Sequence, residues 1–301
     1  MTFKRGTLWQ SIIKTTEHAL QTGALVPVPT DSTFIEDGGI LFFVRVLASL
    51  TRKDEARKEQ EIAARRGKNL NPFCPPEKDL LVADISDTHI AILNKYNVVE
   101  HHLLIITRHY EDQDTLLTLK DFEALWLCMA EYNGLVIYNG GRDAGASQQH
   151  RHLQMVPRPL APRGPSIPVA PLIIEAHKMD GSVLKVPGFP FLHAFVRLRK
   201  ELINSLHDAA RETFHVYASM LEHVGMAGPA KTGLTRQSMP YCLLVTREWM
   251  LLVPRSREYF GDISFNSLAF AGSLFVRNEQ QLEQIKAFGP MNALKSVTMP
   301  E

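Results

Sequence analysis

The chain has 301 residues, of which 45% are hydrophobic and 22% charged, and its 33 Lys and Arg nearly balance 32 Asp and Glu. This composition is typical of a soluble globular protein that is long enough to bury a large core. A net charge of +1 argues against bulk binding to nucleic acid, which usually requires a surplus of basic residues.

The cysteines and the apolar runs indicate the compartment. The three cysteines are scattered and show no Cys-x-x-Cys spacing, which suits a reducing cytoplasm, where we expect the protein to act. The first thirty residues carry polar and charged side chains, so they do not form a secretory signal. The longest apolar run, Ile40 to Leu50, is interrupted by Arg45 and is too short to cross a bilayer. We therefore expect no membrane partner.

Hydrophobic periodicity in the first half of the chain predicts helices and antiparallel strands. Thr118, with Asp121 three residues later, has the capping-box pattern that starts a helix. No internal repeat is visible in the sequence. The expected elements are a helix over 7–21, a buried strand over 40–47, a charged helix or loop over 54–66, a proline-rich loop over 71–76, a meander over 80–85, 89–94 and 103–107, the helix from Thr118, and a strand over 135–138.

The stretch from Asn139 to Gln154 (NGGRDAGASQQHRHLQ) carries the residues most typical of a chemical site. His150, His152 and Gln154 are spaced two apart, so in a strand over 150–157 their side chains project from one face. The preceding glycine-rich turn leaves backbone N–H groups free to wrap an anion. We interpret this pattern as a phosphate cradle beside an imidazole nucleophile, which is a site for nucleotidyl transfer.

Two other interpretations of the paired histidines stay open on the pattern alone. They could be hydrogen-bonded structural residues in a half-buried strand, or two ligands of a metal site. Gln154 argues against the metal site, because Gln is a poor ligand and further ligands would be needed.

The second half of the chain predicts the elements that complete the architecture. Ser205 with Asp208 starts a second long helix, which Gly225 ends. The other expected elements are an extended crossing over 157–190, a hairpin over 241–246 and 249–254, and a helix over 266–277 whose face could close the nucleotide site. These elements predict an α+β fold, a mainly antiparallel sheet flanked by helices, with the site at its edge loops.

The stretch around the histidines resembles a known active site. Asn139, Gly145 to Gln148 (GASQ) and His150 to Gln154 (HRHLQ) are similar to the site of ATP adenylyltransferases, also called diadenosine tetraphosphate phosphorylases, in the histidine-triad superfamily. Hydrolases of that superfamily carry His-x-His-x-His, whereas its transferases, including galactose-1-phosphate uridylyltransferase, have Gln in the last place. The resemblance extends in the same order over 97–110 (NVVEHHLLIITRHY), 240–256 (PYCLLVTREWMLLVPRS) and 266–276 (NSLAFAGSLFV).

The resemblance implies a histidine-triad-like fold and an activity. We expect a single domain over 1–301, divided at most into a catalytic lobe over 1–160 and a lobe over 161–301 that completes the nucleotide site. The implied reaction is reversible phosphorolysis of diadenosine tetraphosphate to ATP and ADP through an adenylyl-histidine. His152 would be the nucleophile, His150 its neighbour, and Gln154 a catalytic amide. The implied partners are these nucleotides and phosphate, with Mg²⁺ carried by the polyphosphate.

The resemblance also assigns residues that bind the nucleotide. At Ser273 and Arg277 the chain departs from the fungal pattern, which has Met and Lys there; Arg keeps a cation, although Arg and Lys hold phosphate differently. The implied binding residues are Lys53, Asn71, Pro72, Asn139, Gly145, Ala146, Ser147, Gln148, Gln154, Asn266, Ser267, Leu268, Ser273 and Arg277.

Other activities remain as alternatives. A dinucleoside polyphosphate hydrolase of the same superfamily is disfavoured by Gln154, and a hexose-phosphate uridylyltransferase by the Thr-Arg-Glu-Trp and Asn-Ser-Leu segments. A non-catalytic protein that senses nucleotides or binds a metal through the same pocket would be excluded by turnover of diadenosine tetraphosphate.

Overall fold

The computed structural model describes residues 4–47, 71–176, 183–229 and 235–301. The strands, numbered in chain order, are β1 (Thr30–Asp37), β2 (Ile40–Leu47), β3 (Leu81–Asp84), β4 (His89–Leu93), β5 (Leu103–Thr107), β6 (Gly134–Gly140), β7 (His152–Pro157), β8 (Ala194–Arg197), β9 (Tyr241–Val245), β10 (Trp249–Pro254), β11 (Tyr259–Phe260), β12 (Ile263–Ser264) and β13 (Ser273–Val276). The helices are α1 (Leu8–Thr22), α2 (Leu119–Glu131), α3 (Ala170–Ala176), α4 (Leu206–His223), α5 (Glu279–Phe288) and α6 (Pro290–Ser296).

An eight-stranded sheet in the order β3-β4-β5-β7-β6-β9-β10-β8 forms the centre of the molecule, and every neighbouring pair in it is antiparallel. A smaller sheet, β1-β2-β13, contains an antiparallel and a parallel pair. The expected α+β class with a mainly antiparallel sheet is therefore confirmed.

The two faces of the large sheet have different covers. Helices α1, α2 and α4 pack on one face, where Leu153 and Met155 of β7 enter the core. The small sheet and helices α3, α5 and α6 cover the other face over β6, β9 and β10. On the same face, over β4 and β5, Phe73 forms a separate small cluster with Leu104 and Ile106. Strand β7 therefore lies between the two apolar clusters of this face, the one over β6, β9 and β10 and the one around Phe73. Its even-numbered side chains face the boundary between these two clusters, which we call the seam.

The large sheet contains two halves with the same topology. The order β5-β7-β6 with helix α2 is mirrored by β8-β10-β9 with helix α4, so that each half runs strand, helix, strand, strand along the chain. Between the halves, β6 and β9 pair symmetrically about Tyr138 and Leu243. This register makes Asn139 correspond to Leu244, and His152 to Leu251. The fold thus repeats although the sequence does not, because apolar residues replace the polar ones in the second half.

The expected helix over 266–277 is wrong. A short 3₁₀ turn, Ser267–Ala271, ends at Gly272, whose φ of +85° lies in the left-handed region, and the chain continues as β13. A side chain at Gly272 would place its Cβ 2.7 Å from a Pro168 carbon. The apolar run after Gly272 becomes a strand because it pairs in parallel with β2, a distant partner that local periodicity does not reveal. Strands β1, β8, β11 and β12 and helices α3, α5 and α6 were not predicted either, and α3 lies inside the segment over 157–190 that was expected to be an extended crossing.

The predicted helix starts are confirmed by their caps. The Thr118 amide donates to Asp121 Oδ2 at 2.7 Å, and helix α2 follows directly. Ser205 Oγ accepts from the Asp208 amide at the start of α4. The charged segment expected over 54–66 lies outside the described residues.

A buried ion pair anchors β7 to the helix layer. Arg151, fully buried, donates to Asp121 Oδ2 at 3.2 Å and also contacts the Glu111 carboxylate. His89 Nε2 lies 3.2 Å from Asp121 Oδ1. Although burial alone would raise the pKa of Asp121, the hydrogen bond from His89 and the charge of Arg151 lower it to about 2. The start of β7 is thereby held to the first turn of α2.

We predict that Asp121→Asn destabilises the protein by roughly 3–5 kcal/mol, because it leaves the buried Arg151 without its main counter-charge. A carboxyl whose folded pKa is depressed stabilises above the unfolded pKa, near 3.8, and loses that contribution as the pH falls towards 2. Urea denaturation should therefore show a constant difference between variant and wild type above about pH 5, and a shrinking one below it.

Asp79→Asn is the control for this prediction. Its carboxylate pairs with His18 on the surface, where both side chains are about half exposed, so its loss should cost less than about 1 kcal/mol. Equal losses in the two variants would contradict the anchoring role of Asp121.

Candidate active site

His152 stands at the start of β7 with one ring nitrogen bonded and the other free. Its Nδ1 lies 2.8 Å from the carbonyl oxygen of His150 and therefore carries the proton. Its Nε2, which keeps a lone pair, has no hydrogen-bond partner in the described part of the chain and is not among the enclosed unpaired atoms there. The side chain is only 4% exposed, so the ring opens narrowly onto the seam between the two apolar clusters.

His150 has the opposite arrangement. Its Nε2 lies 2.8 Å from the Thr107 carbonyl, to which it donates, and 2.9 Å from the Thr107 hydroxyl. Its Nδ1 accepts from Asn71 Nδ2 at 2.8 Å. Both ring nitrogens of His150 are therefore hydrogen-bonded, and the ring holds Asn71 and Thr107 in place. Its backbone carbonyl separately fixes the tautomer of His152.

Burial keeps both imidazoles neutral. The Phe73 ring meets the rings of His150 and His152 edge to face, with centroids 5.6 and 5.5 Å apart. Removal from water lowers the pKa of His152 to about 4, even though the hydrogen bond to His150 acts in the other direction. Burial also lowers the pKa of His150. The Nε2 lone pair of His152 is therefore available throughout the neutral pH range.

The glycine-rich turn offers fewer free amides than the sequence predicts. The amides of Ala144, Gly145 and Ala146 are taken by carbonyls of the turn itself, at 2.8–3.2 Å. The Ser147 amide makes no backbone hydrogen bond within the described residues, and its side chain is exposed. The expectation that the glycine-rich turn leaves its amides free is therefore wrong for Gly145 and Ala146, because the 3₁₀ turn at Arg142–Ala144 and the carbonyls beside it take these donors. The part that can meet a phosphate begins at Ser147.

Asn266 and Ser267, from the C-terminal part of the chain, contact the glycine-rich turn and the end of β6 before it. The Ser267 amide and hydroxyl both donate to Asn139 Oδ1, at 2.9 and 2.6 Å. Gly145, with φ of +93°, lies so close to Asn266 that a Cβ there would be 2.8 Å from the Asn266 Cβ. Asn266 Oδ1 also accepts from the Leu268 amide at 3.0 Å. The predicted residues from 139–148 and 266–268 thus form one assembly.

The remaining predicted residues are placed less directly. Gln154 is half-buried on the same side of β7 as His152, and its carboxamide has no hydrogen-bond partner among the residues described. Pro72 is exposed beside Asn71. Lys53 lies outside the described residues. Ala146 and Gln148 are half-buried in the loop that leads to His150.

Ser273 and Arg277 lie at the two ends of β13. Ser273 is buried and accepts a hydrogen bond of 2.6 Å from Arg45 Nη1, which also lies over the Phe43 ring. Arg277 is exposed just beyond the strand, where its backbone amide donates to Gln281 Oε1 at 2.7 Å. The structure does not test whether either residue binds nucleotide, so both assignments stay predictions.

His193, to which the sequence assigns no role, shows why a free nitrogen matters. Its Nδ1 donates to the Phe191 carbonyl two residues earlier, the same local geometry as in His152. However, its Nε2 accepts the Val186 amide at 2.7 Å, so no lone pair is available. His193 is therefore a structural histidine.

A cluster of metal-binding side chains and a membrane-spanning helix are both absent from the residues that the structure describes. Within the described ranges, no three His, Cys, Asp or Glu side chains converge so that they could hold a metal ion. Nor does any helix there have the length and apolar character to cross a membrane.

Known protein families match nearly the whole chain. The profile of the Ap4A phosphorylase N-terminal domain matches residues 1–175, and that of the ATP adenylyltransferase C-terminal domain matches 187–300. Diadenosine 5',5'''-P1,P4-tetraphosphate phosphorylase 2 of Saccharomyces cerevisiae is 24% identical over 267 residues, covering 81% of this chain and 78% of the relative. The crystal structure of yeast Ap4A phosphorylase Apa2 in complex with Ap4A is similar with a TM-score of 0.78 at 21% identity, covering 100% and 99% of the two chains.

The matched profiles define the class of protein as a nucleotidyltransferase, since an ATP adenylyltransferase transfers a nucleotidyl group. More particularly, the chain belongs to the Ap4A phosphorylase family, also called ATP adenylyltransferases, whose N-terminal profile alone covers more than half of it. The resemblance inferred from the sequence is confirmed.

We predict that ¹⁵N NMR of labelled histidine will show opposite tautomers in the two neighbouring rings, Nδ1–H in His152 and Nε2–H in His150, because their partners fix the protons. Because the pKa of His152 is lowered to about 4, its signals should not titrate between pH 8 and 5.5. His18, whose side chain is about half exposed, provides a reference histidine signal in the same spectra. An Nε2–H signal from His152 would contradict the arrangement.

Proposed function

We propose that this protein catalyses the phosphate-dependent cleavage of diadenosine tetraphosphate to ATP and ADP, reversibly, with the adenylyl group carried on His152. The observation that carries this proposal is the neutral imidazole of His152. Its Nδ1–H is fixed by the His150 carbonyl, and its Nε2, at the seam, has no hydrogen-bond partner among the described residues. The yeast relative named as a diadenosine tetraphosphate phosphorylase, and the similar fold solved with Ap4A, support this choice of substrate.

In the first step, the Nε2 lone pair of His152 attacks the α-phosphorus and forms a P–N bond. The bond from that phosphorus to the bridging oxygen breaks, and its electron pair leaves with ATP. Positive charge develops on the imidazole as the P–N bond forms. The His150 carbonyl, 2.8 Å from Nδ1, stabilises that charge without removing the proton. The low pKa means that no separate base is needed, since the ring enters the reaction neutral.

In the second step, an oxygen of inorganic phosphate attacks the same phosphorus from the side that ATP has left. The P–N bond breaks, its electron pair returns to Nε2, and ADP leaves. His152 is regenerated in its starting tautomer, because Nδ1–H stays bonded to the His150 carbonyl throughout. Each step exchanges a P–O bond and the P–N bond at the same phosphorus. Each can therefore run backwards, so the whole transfer is reversible.

The surroundings of the reacting phosphorus have complementary roles in this proposal. Ser147, whose amide has no backbone partner among the described residues, and Gln148 would donate to the α-phosphate oxygens, where one lost donor typically costs about 10²–10³ in rate. Gln154 offers a neutral amide that hydrogen-bonds oxygen without giving or taking a proton. Mg²⁺ would arrive bound to the polyphosphate as part of the substrate. We place the reaction in the cytoplasm, where Cys74, an exposed free thiol near the site, would stay reduced.

We predict that His152→Ala forms no adenylyl-enzyme from labelled ATP and loses at least about 10⁴-fold in the phosphate-dependent release of ATP and ADP. The variant removes the attacking atom, but within the described residues the ring's single hydrogen bond is to the carbonyl of His150, two residues earlier, so the protein should fold normally. Acid-quenched labelling and product chromatography provide the measurements. His18→Ala, which alters an exposed histidine, should label fully. Label on the His152 variant would place the nucleophile elsewhere.

We predict that Gln154→His raises hydrolysis relative to phosphorolysis by at least about tenfold, because an imidazole at that position can activate water, an effect typically worth about 10²–10⁴. The measurement is the ratio of AMP to ADP formed at a fixed phosphate concentration. Gln10→His, on the exposed side of α1, provides the control. An unchanged product ratio would remove the argument that the amide protects the intermediate from water.

A further inference from the structure

The backbone ladder between β6 and β7 stops just before the nucleophile. Its last pair joins Ile137 and Gln154, so Asn139 and His152 do not pair with one another. In the other half of the sheet, the corresponding residues Leu244 and Leu251 are paired, within an unbroken ladder between β9 and β10. The interruption is therefore confined to the half that carries the candidate nucleophile, and the fold itself does not require it.

The side chain of Gln113 fills this interruption. Its Oε1 accepts the His152 amide at 2.8 Å. Its Nε2 donates to the Asn139 carbonyl at 2.8 Å and to the His152 carbonyl at 3.3 Å. A carboxamide has the donor and acceptor of a peptide group, so it replaces the missing ladder bonds while keeping the two strands apart. Gln113 is 2% exposed, so these bonds form in a dry environment where they are strong.

The backbone of Gln113 is itself fixed on both sides. Its amide donates to the Gln149 carbonyl at 2.7 Å, and its carbonyl accepts from the Tyr138 hydroxyl at 2.7 Å. Next to it, the Arg151 amide donates to the Glu111 carbonyl at 2.7 Å. The segment from Glu111 to Gln113 is thus wedged between the end of β6 and the residues that lead into β7. Because this segment is fixed on both sides, the position of Gln113 determines the position of the His152 backbone to which it is bonded.

We propose that Gln113 is a positioning residue for the transfer reaction: its carboxamide holds β6 and β7 apart and sets where the His152 ring stands relative to the phosphorus. This inference rests on the function proposed above. Because the strands are held apart, the Asn139 side chain can accept hydrogen bonds from Ser267. These bonds bring residues 266–268 to the site. An offset of about 1 Å at the attacking atom is enough to cost about 10²-fold in rate.

The test uses two variants of the full chain. Gln113→Met keeps the volume and removes all three hydrogen bonds. Gln113→Asn keeps the amide but is one methylene shorter, so it does not reach Asn139 and His152 together. In both we expect the single-turnover rate of adenylyl-enzyme formation and kcat to fall about 10–100-fold, with KM for diadenosine tetraphosphate within about threefold of wild type. ¹⁵N NMR should show shifted His152 Nε2 and backbone amide signals.

Thr213→Val is the matched control. It removes the buried hydrogen bond from Trp126 Nε1, 2.9 Å long, on the opposite face of the sheet. It should lower Tm by an amount similar to the Gln113 variants and leave the adenylylation rate of the folded protein unchanged. If the Met variant fails to fold, the Asn variant and the NMR signals carry the test.

The proposal is overturned if either Gln113 variant keeps the wild-type single-turnover rate, or if its rate falls only as far as that of Thr213→Val. A rise in KM with unchanged kcat would also overturn it, because that result would indicate a role in substrate binding. If wild type forms no adenylyl-enzyme, the proposed function fails instead. The NMR comparison would then still decide whether Gln113 holds His152, since it needs no substrate.

Discussion

The alternation of side chains along β7 is the constraint on which the rest of the structure depends. Arg151 points into the helix layer, where it meets Asp121 and Glu111, and its neighbour His152 points to the opposite face. A slip of one residue would exchange the two faces, placing a guanidinium at the seam and an imidazole in the ion pair. The buried charge pair thus fixes the register of the strand, and the register fixes which side chain faces the candidate site.

His152 and His193 are both buried, and both rings donate Nδ1–H to the carbonyl two residues before them. The difference lies in the second nitrogen, which a backbone amide occupies in His193 and nothing in the described chain occupies in His152. Desolvation by the surrounding apolar groups keeps the ring of His152 neutral, which is the state that the proposed attack on phosphorus requires. A low exposed fraction is therefore compatible with a reactive group when one lone pair stays unpaired.

The two halves of the large sheet show what the site demands of the fold. The second half keeps a continuous ladder of apolar residues and packs against the small sheet. The first half gives up ladder bonds at Asn139 and His152, and Gln113 replaces them with a side chain. The separated strands admit Asn266 and Ser267 from the C-terminal part of the chain, so the candidate site is assembled from residues in both parts matched by the family profiles.

Local patterns in the sequence were sufficient for the features that depend on near neighbours. The two-residue spacing of His150, His152 and Gln154 predicted a common face, and Thr118 with Asp121 predicted a helix start, because alternation and capping act within a few residues. The tertiary structure alone decided the free nitrogen of His152, the loss of the turn amides to local bonds, the strand after Gly272 and the part played by Gln113. Each of these depends on which partner a group finds, and for β13 and Gln113 that partner lies tens to hundreds of residues away along the chain.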